Sequence, residues 1–180
     1  MNRAIFLDRD GVLNEVVMRN GKPYSPAGLD ELKVVADAAS ALAKLKARGF
    51  LLIVVTNQPD IARGLAPVSL IDALNARVTS GLPIDAVEMC PHDDNDGCNC
   101  RKPKPGMLLR AAERDDIDLS NSFMIGDRWR DIEAGRQTGC RTLLIGDGYS
   151  EKELNDPKRK PDVTLQSLTG AAEWILSQCA

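Results

Sequence analysis

The sequence predicts an α/β fold with a doubly wound, mainly parallel sheet of the Rossmann-like kind. Two observations predict it: short apolar runs alternate with helical patterns along the whole chain, and polar residues directly follow several of those runs. The 180 residues suit one domain with a full-sized core, and neither an internal repeat nor a long linker divides them. We therefore expect a single domain over residues 1–180, with no stretch long enough for a separate cap domain.

The first part of the chain predicts a strand, a flap, a helix and a second strand. The apolar run at residues 4–7 is typical of a buried strand. Proline and glycine pairs in residues 14–35 break any regular pattern, and we interpret this segment as a loop or flap. Asp37 is predicted to cap a helix with apolar residues at helical spacing, and the apolar run 50–55 predicts the second strand.

The middle of the chain continues the alternation. Pro67, at a first-turn position, opens a second helix, and the Ser-Gly pair at 80–81 ends it. Residues 84–89 predict a shorter third strand that leads into a cysteine-rich loop. Pro105 begins a third helix, whose apolar residues recur at helical spacing.

The last part of the chain predicts two strands, a loop, an edge strand and a closing helix. Residues 123–125 and 142–145 are the fourth and fifth strands. Residues 146–161 are polar and rich in turn residues, which predicts a surface loop. Residues 163–165 are expected to form a short edge strand, and Ser167 can cap the closing helix.

Composition and charge argue against several classes of function. The formal net charge is −3, so we expect no nucleic-acid partner. No apolar run approaches membrane-spanning length, and the start lacks the apolar segment of a signal peptide, so we expect no membrane partner and a cytoplasmic location. The odd count of five cysteines argues against a disulfide framework. Cys140 and Cys179 stand apart and are predicted to be small core or terminal residues.

Polar side chains follow three of the predicted strands. Asp8 and Asp10 follow the first strand, Thr56 the second and Asp127 the fourth. Because parallel strands place their carboxyl ends at one edge of the sheet, we expect these side chains to converge. Taken singly, each has turn chemistry as the simpler explanation. Three carboxylates at one edge would repel one another without a cation, and Mg²⁺, which takes oxygen ligands and binds phosphates, suits that role.

A lysine near the third helix completes this predicted site. Lys102 and Lys104 both precede the helix that begins at Pro105, so an ammonium group and a helix amino terminus would lie together. That pairing favours a phosphate ligand. The alternative for either lysine is a solvated surface charge, and the spacing alone does not choose between the two.

Cysteine and histidine residues cluster in the segment 90–100. The residues Cys90, His92, Cys98 and Cys100 match the four ligands of a tetrahedral Cys₃His zinc site. No fifth ligand position is evident, so we expect a closed, structural Zn²⁺ site. The alternative is a coincidence of reduced cysteines and a surface histidine. A loop of Asp, Asn and Gly residues has nothing else to hold it, which favours zinc.

Together these motifs resemble those of the haloacid dehalogenase superfamily of phosphatases. In chain order, the matching elements are Asp8-Arg9-Asp10-Gly11-Val12, Thr56, Lys102, and Gly126-Asp127 with Asp131. They span about residues 3–146 in the expected order. The resemblance implies the haloacid dehalogenase fold and hydrolysis of a phosphate monoester through an aspartyl-phosphate.

The resemblance also implies a role for each matching residue. Asp8 would be the nucleophile, and Asp10 would act as general acid and then general base. Mg²⁺ would be bound by the carboxylates of Asp8 and Asp127 and by the main-chain carbonyl of Asp10. The hydroxyl of Thr56 and the ammonium of Lys102 would hold the phosphate oxygens.

Further roles follow from the same resemblance. Asp131 would orient Lys102 or a metal-bound water, and Arg101 would read the substrate through a second phosphate. The remaining substrate contacts are predicted at Arg19, Asn57 and Gln58. The expected partner is a small phosphorylated sugar, and the expected oligomeric state is a monomer.

Within the superfamily, the zinc loop and the missing cap resemble two groups, the phosphatases of heptose bisphosphates and of histidinol phosphate. Segments 61–64 (Ile-Ala-Arg-Gly) and 105–108 (Pro-Gly-Met-Leu) favour the heptose group. The short gap between His92 and Cys98 favours the histidinol group instead. Pro59-Asp60 departs from the Ser-Gly usual in the heptose group, in a segment expected to touch substrate.

We therefore expect cleavage of a heptose bisphosphate to heptose 1-phosphate and phosphate. Histidinol phosphate is the alternative substrate. The alternative from another class is a non-catalytic, zinc-stabilised binding module. Such a module is expected to have lost one of the catalytic residues, and none is lost here.

Overall fold

The computed structural model describes residues 1–179 and has eight strands within that range. The strands are β1 (Ala4–Leu7), β2 (Val17–Arg19), β3 (Lys22–Tyr24), β4 (Leu51–Asn57), β5 (Ala86–Cys90), β6 (Phe123–Gly126), β7 (Arg141–Ile145) and β8 (Val163–Leu165). The helices are α1 (Ala38–Ala47), α2 (Val68–Thr79), α3 (Gly106–Asp115), α4 (Trp129–Gln137) and α5 (Leu168–Ser177). Six strands form a sheet in the order β5-β4-β1-β6-β7-β8, paired in parallel throughout.

Helices cover both faces of this sheet. Along β1, Ile5 and Leu7 join one apolar core with residues of α1 and α5, whereas Ala4 and Phe6 join a second core with residues of α3 and α4. This alternation follows from the twofold period of a strand, in which successive side chains point to opposite faces. A fully apolar strand is therefore buried on both sides, which confirms the predicted doubly wound α/β fold.

The segment 14–35 contains a regular hairpin, contrary to its interpretation as an irregular flap. Strands β2 and β3 pair antiparallel, with Arg19 opposite Lys22. The turn residues Asn20 and Gly21 have φ values of 52° and 73°, as a type I′ turn requires. The Asn-Gly pair is the usual sequence signal for this turn, and the prediction missed it.

Only one of the two predicted helix caps is formed. Ser167 caps α5 as predicted, because its Oγ accepts a hydrogen bond of 3.1 Å from the Gly170 amide. Asp37 makes no cap bond to α1 and itself has a helical backbone conformation. Its Oδ2 instead accepts hydrogen bonds of 2.9 Å and 2.6 Å from the amide and hydroxyl of Thr169, so it joins the two helices.

Residues 146–161 contain three short 3₁₀ turns within the predicted loop. The loop follows β7, whose carboxyl end lies at the same edge of the sheet as those of β1, β4 and β6. Thr56 and Asn57 belong to the end of β4 rather than following it. Within residues 1–179, none of the helices has the length and apolar character needed to cross a membrane.

Candidate active site

A cleft of about 590 Å³ opens at the carboxyl ends of the central strands. From the sheet and the loops behind it, the predicted residues lining the cleft are Asp8, Asp10, Asn57, Arg101, Lys102, Asp127 and Asp131. The β2–β3 hairpin adds Lys22, Pro23, Tyr24 and Ser25. The sheet topology thus brings together side chains that lie far apart in the sequence, as the position of parallel strand ends predicts.

Lys102 lies at the centre of a buried charge cluster. Its Nζ is 2.9 Å from Asp8 Oδ1 and 2.6 Å from Asp131 Oδ1, and it donates a hydrogen bond of 2.7 Å to the Val55 carbonyl. Burial alone would lower the pKa of Lys102, but the two carboxylates raise it above its ordinary value. The ammonium therefore keeps its proton and has a fixed position.

The other candidate lysine has a different neighbourhood. Lys104 Nζ donates to the main-chain carbonyls of Cys98, at 2.5 Å, and Gly97, at 3.4 Å. These carbonyls belong to the cysteine-rich loop. The structure therefore brings Lys102, and not Lys104, to the carboxylates at the sheet edge.

Asp127 has one carboxylate oxygen without a partner. The residue is 3% exposed, and its Oδ1 is buried with no hydrogen-bond partner among residues 1–179. Oδ2 accepts a hydrogen bond of 2.9 Å from the Tyr149 hydroxyl. Burial, and then the charges of Asp8 and Asp131, raise the pKa of Asp127 well above its ordinary value. Burial likewise raises the pKa of Asp8 to about 7.

These raised pKa values indicate more negative than positive charge in the site, because the Lys102 ammonium faces three carboxylates. One carboxylate oxygen each of Asp8, Asp127 and Asp131 lies within 4.8 Å of the others. A divalent cation there would stabilise the ionised carboxylates and give the buried Asp127 oxygen a partner. Oxygen ligands of this kind fit Mg²⁺.

Glycine allows the backbone to approach Asp127. A Cβ atom on Gly11 would lie 1.8 Å from Asp127 Oδ2, and the φ of Gly11 is +87°. Any side chain at this position would therefore meet both a clash and an unfavourable backbone conformation. The glycine after the two aspartates thus has a packing role as well as a turn role.

The Asp10 carboxylate is held by four side chains. It accepts hydrogen bonds from Arg9 at 2.9 Å, Asn14 at 3.0 Å, Ser25 at 2.7 Å and Gln58 at 3.1 Å. Burial would raise the pKa of Asp10, but the Arg9 charge and these hydrogen bonds lower it below its ordinary value. The network favours the ionised carboxylate, the form that can accept a proton.

Three consecutive residues at the end of β4 support this site. Thr56 is buried, and its Oγ1 accepts a hydrogen bond of 2.8 Å from Gln58. Asn57 pairs with the main chain of Lys102, accepting from its amide and donating to its carbonyl at 3.0 Å each. Of the three, Asn57 alone lines the cleft. Thr56 and Gln58 are buried and do not line it, so their predicted contacts with the phosphate and the substrate stay predictions.

Arg19, a predicted substrate contact, does not line the cleft. Its Nη2 is 2.5 Å from Glu31 Oε2, and its guanidinium lies over the Tyr24 ring. In this structure the ion pair engages the Arg19 side chain within the flap, and its predicted contact with substrate stays a prediction. Tyr24, which the prediction did not include, lies in the cleft wall instead.

Two arginines share one acid in the cleft wall. Arg101 Nε and Arg130 Nη1 lie 2.9 Å and 2.8 Å from the same oxygen, Asp94 Oδ1. The hydrogen bond from Arg101, with a further one from Arg130, lowers the pKa of Asp94 to about 2. Arg101 Nη1 is buried and has no hydrogen-bond partner among the described residues. The described residues leave this donor unsatisfied.

The unusual Pro59-Asp60 pair also lines the cleft. Asp60 Oδ1 is 3.4 Å from Arg63 Nη1, and Arg63 Nη2 is 2.6 Å from Asp93 Oδ1. Arg63, which also lines the cleft, is therefore paired with two acids, Asp60 and Asp93. Asp60 gives this segment a negative charge that a Ser-Gly pair does not have.

The sequence prediction missed Tyr149, Arg128 and Arg130 as cleft residues. A signal for Tyr149 was present, because it follows β7 and the carboxyl ends of parallel strands share one edge. Arg128 and Arg130 flank Trp129 directly after Asp127, so their position in the sequence also pointed to this edge.

The four predicted zinc ligands lie together in one cluster. Cys90 Sγ is 3.0 Å from Cys100 Sγ and 3.8 Å from Cys98 Sγ, and His92 Nδ1 is 3.3 Å from Cys100 Sγ. All five cysteines are free thiols. Tetrahedral Zn–S bonds of about 2.3 Å separate sulfur ligands by roughly 3.8 Å. The Cys90–Cys98 distance matches this separation, and the Cys90–Cys100 distance is shorter. The donor set fits zinc.

Comparisons with known proteins identify a matching family and relatives over nearly the whole chain. Residues 99–171 match the family described as HAD-hydrolase-like. The chain is 34% identical to D-glycero-beta-D-manno-heptose-1,7-bisphosphate 7-phosphatase of Pseudomonas aeruginosa, over 98% of this chain and 99% of that protein. It is 37% identical to the protein of the same name from Bordetella bronchiseptica, over 98% and 99% of the two chains.

A solved structure is also similar over nearly the whole chain. It is the D,D-heptose 1,7-bisphosphate phosphatase from B. bronchiseptica, complexed with magnesium and phosphate. The TM-score is 0.83 and the identity 32%, with 98% of this chain and 99% of that chain covered.

Proposed function

The chain belongs to the HAD-like hydrolases, in the group of the heptose 1,7-bisphosphate 7-phosphatases, and on that premise we propose its substrate and the role of each site residue. The reaction is hydrolysis of the 7-phosphate of D-glycero-D-manno-heptose 1,7-bisphosphate to give heptose 1-phosphate and phosphate. The observation that carries the proposal is the cluster at the sheet edge. There the Asp8 carboxylate lies 2.9 Å from the Lys102 ammonium, beside Asp127 with its unpaired oxygen.

Asp8 acts as the nucleophile. Its carboxylate attacks phosphorus, the bond from phosphorus to the sugar oxygen breaks, and an aspartyl-phosphate forms. The protonated Asp10 carboxyl gives its proton to the leaving alkoxide and becomes a carboxylate. In the second step this carboxylate takes a proton from water, the water oxygen attacks phosphorus, and the bond to Asp8 breaks, which returns Asp10 to its protonated form. The hydrogen bonds that lower the pKa of Asp10 make its proton easier to release in the first step.

Asp8, Asp127 and the main-chain carbonyl of Asp10 are the proposed Mg²⁺ ligands. When bound, Mg²⁺ supplies positive charge that offsets repulsion between the nucleophile and the phosphate. The orphaned Asp127 oxygen and the raised pKa of Asp8 support this assignment. The similar B. bronchiseptica structure contains magnesium and phosphate.

Lys102 and the hydroxyl of Thr56 bind the phosphate oxygens. The ion pairs to Asp8 and Asp131 and the bond to the Val55 carbonyl hold Lys102 in place before substrate arrives. Such a preorganised donor stabilises charge in the transition state without reorganising. Asp131 thus acts as a positioning residue for Lys102.

Arg101 is the proposed reader of the second phosphate. Its Nη1 is buried without a partner among residues 1–179, and an anion in the cleft would satisfy it. Arg130, joined to Arg101 through Asp94, adds positive charge beside it. A substrate with two phosphates would therefore use both the Lys102 and the Arg101 regions of one cleft.

Zn²⁺ is the proposed ligand of the Cys90, His92, Cys98 and Cys100 cluster. Arg101 and Lys102 directly follow the last of these cysteines, so a metal that orders the loop also positions both basic residues. A site with four protein ligands is closed, and its role is structural. We further propose that the protein is a monomer with a cytoplasmic location.

The test is a comparison of substrates with the purified chain. Heptose 1,7-bisphosphate, its 7-monophosphate, histidinol phosphate and p-nitrophenyl phosphate are assayed for released phosphate in the presence of Mg²⁺. We expect the highest kcat/KM for the bisphosphate, no turnover by Asp8→Asn, and normal turnover by Asp72→Asn, which changes an exposed acid on α2. Faster hydrolysis of histidinol phosphate would refute the substrate, and retained activity in Asp8→Asn would refute the nucleophile.

A further inference from the structure

The Tyr149 side chain contacts the proposed metal site from a loop outside the four catalytic motifs. Its hydroxyl donates a hydrogen bond of 2.9 Å to Asp127 Oδ2. The same oxygen packs against Gly11, where a Cβ would come within 1.8 Å of it. Oδ2 is therefore held between a phenol and the backbone, and this contact fixes the rotation of the carboxylate.

The second oxygen of Asp127 has the opposite surroundings. Oδ1 is buried and has no hydrogen-bond partner in the described part of the chain. A buried carboxylate oxygen without a partner is costly, unless a cation binds it. The two oxygens therefore differ: Oδ2 accepts a hydrogen bond from Tyr149, and Oδ1 has no partner among the described residues.

We propose that Tyr149 is a positioning residue that fixes Asp127 so that Oδ1 is presented to Mg²⁺. The inference rests on the proposed magnesium site and adds a residue that none of the catalytic motifs includes. Second-shell hydrogen bonds of this kind orient metal ligands and strengthen metal binding. A carboxylate without this bond would have to lose rotational freedom when the metal binds.

The backbone of the Tyr149 loop supports a dedicated role. Tyr149 and Ser150 have φ values of 53° and 55°, a left-handed conformation that side chains other than glycine and asparagine rarely adopt. The structure around them must stabilise this conformation, and strained residues of this kind cluster at functional sites.

The next residue, Glu151, ties the loop to the turn that carries Asp127. Its carboxylate accepts hydrogen bonds of 2.8 Å from Arg128 Nε and 3.1 Å from the Trp129 amide. Both donors come within two residues of Asp127. The phenol and the carboxylate that it contacts are therefore held in one local unit.

The test is Mg²⁺ binding to Tyr149→Phe, measured by isothermal titration calorimetry without substrate. Phenylalanine keeps the ring and removes only the hydroxyl. We expect Mg²⁺ to bind about five- to tenfold more weakly, as for the loss of one hydrogen bond to a metal ligand. The Mg²⁺ concentration for half-maximal phosphatase activity should rise by the same factor, while kcat at saturating Mg²⁺ returns close to that of the unmodified chain.

Ser177→Ala is the control. It also removes a single hydroxyl that donates one hydrogen bond, to the Trp174 carbonyl, but on an exposed position of α5 that does not line the cleft, and it should leave Mg²⁺ affinity unchanged. Equal Mg²⁺ affinities of Tyr149→Phe and the unmodified chain would overturn the inference. If the unmodified chain bound no Mg²⁺, the proposed magnesium site itself would be refuted. The choice of sugar substrate affects neither measurement.

Discussion

At the scale of single residues, two glycines let the backbone come close to the acids of the proposed magnesium site. Gly11 and Gly126 bring the backbone against the side chains of Asp127 and Asp131, leaving no room for a Cβ in either place. A glycine with positive φ in open space has only a conformational role. Gly11 has both a positive φ and a close contact, so its substitution should act on the site and on the fold.

We predict that Gly11→Ala abolishes Mg²⁺ binding and lowers kcat/KM at least about 100-fold, because the new methyl group must displace the Asp127 carboxylate. Gly49→Ala is the matched control, since Gly49 has φ of +82° and nothing within 4 Å of its Cβ position. The control should lose about 1 kcal/mol of folding free energy and keep its Mg²⁺ affinity. Calorimetry and thermal melting measure the two effects. An equal loss of Mg²⁺ affinity in both variants would show that backbone strain, and not the clash with Asp127, weakens Mg²⁺ binding.

The residues also show what sequence patterns can and cannot predict. Asp8 and Asp127 were predictable, because strand ends and turn glycines mark the sheet edge. The choice between Lys102 and Lys104 was not, because it depends on how the loop before α3 is folded. Asp37 carries a cap signal that its tertiary contact with Thr169 overrides.

At the scale of elements, the cysteine-rich loop joins the proposed zinc site to the cleft. Its 3₁₀ turn, Asp94–Asp96, begins with a capping box at Asp93. Asp94 then contacts Arg101 from the same loop and Arg130 from α4. One acid thus orients two arginines from different elements, and charge-assisted bonds of this kind fix direction as well as distance.

We predict that Asp94→Asn raises the KM for the heptose bisphosphate about five- to tenfold, because Arg101 and Arg130 lose their shared anion and must be ordered by the substrate. The kcat/KM for p-nitrophenyl phosphate, which has no second phosphate, should stay unchanged. Steady-state kinetics with both substrates separate the two effects, and Asp72→Asn serves as control. A lower KM would mean instead that Asp94 competes with the substrate for the arginines.

The elements were largely predictable because their signals are local. Apolar runs gave every strand of the six-stranded sheet, and the cap at Ser167 gave the start of α5. The β2–β3 hairpin was missed because its strands are short and half exposed, so hydrophobic periodicity is weak there. The position of Tyr149 after β7 indicates the edge of the sheet at which it lies, but its long-range hydrogen bond with Asp127 is not readable from a local pattern.

At the scale of the whole molecule, the ligands of the two proposed metal sites belong to different parts of the fold. The magnesium ligands lie at the ends of strands buried between two apolar cores, which do not need the metal to form. The zinc ligands belong to a segment that begins at the end of the edge strand β5 and continues through a loop of small and polar residues. Loss of each metal should therefore have a different consequence.

We predict that removing Mg²⁺ with a mild chelator abolishes activity reversibly and leaves the thermal transition within a few degrees of its original value. Removing Zn²⁺ with a strong chelator should lower Tm by at least about 5 °C, because binding to a structural site contributes directly to folding. Activity should then return only when Zn²⁺ and Mg²⁺ are both restored, since Arg101 and Lys102 depend on the ordered loop.

Elemental analysis should find about one zinc per chain before treatment. A protein without zinc that keeps its Tm and its activity would show that the cysteine cluster orders itself. The position of Lys102 would then depend on its ion pairs and hydrogen bonds and not on zinc.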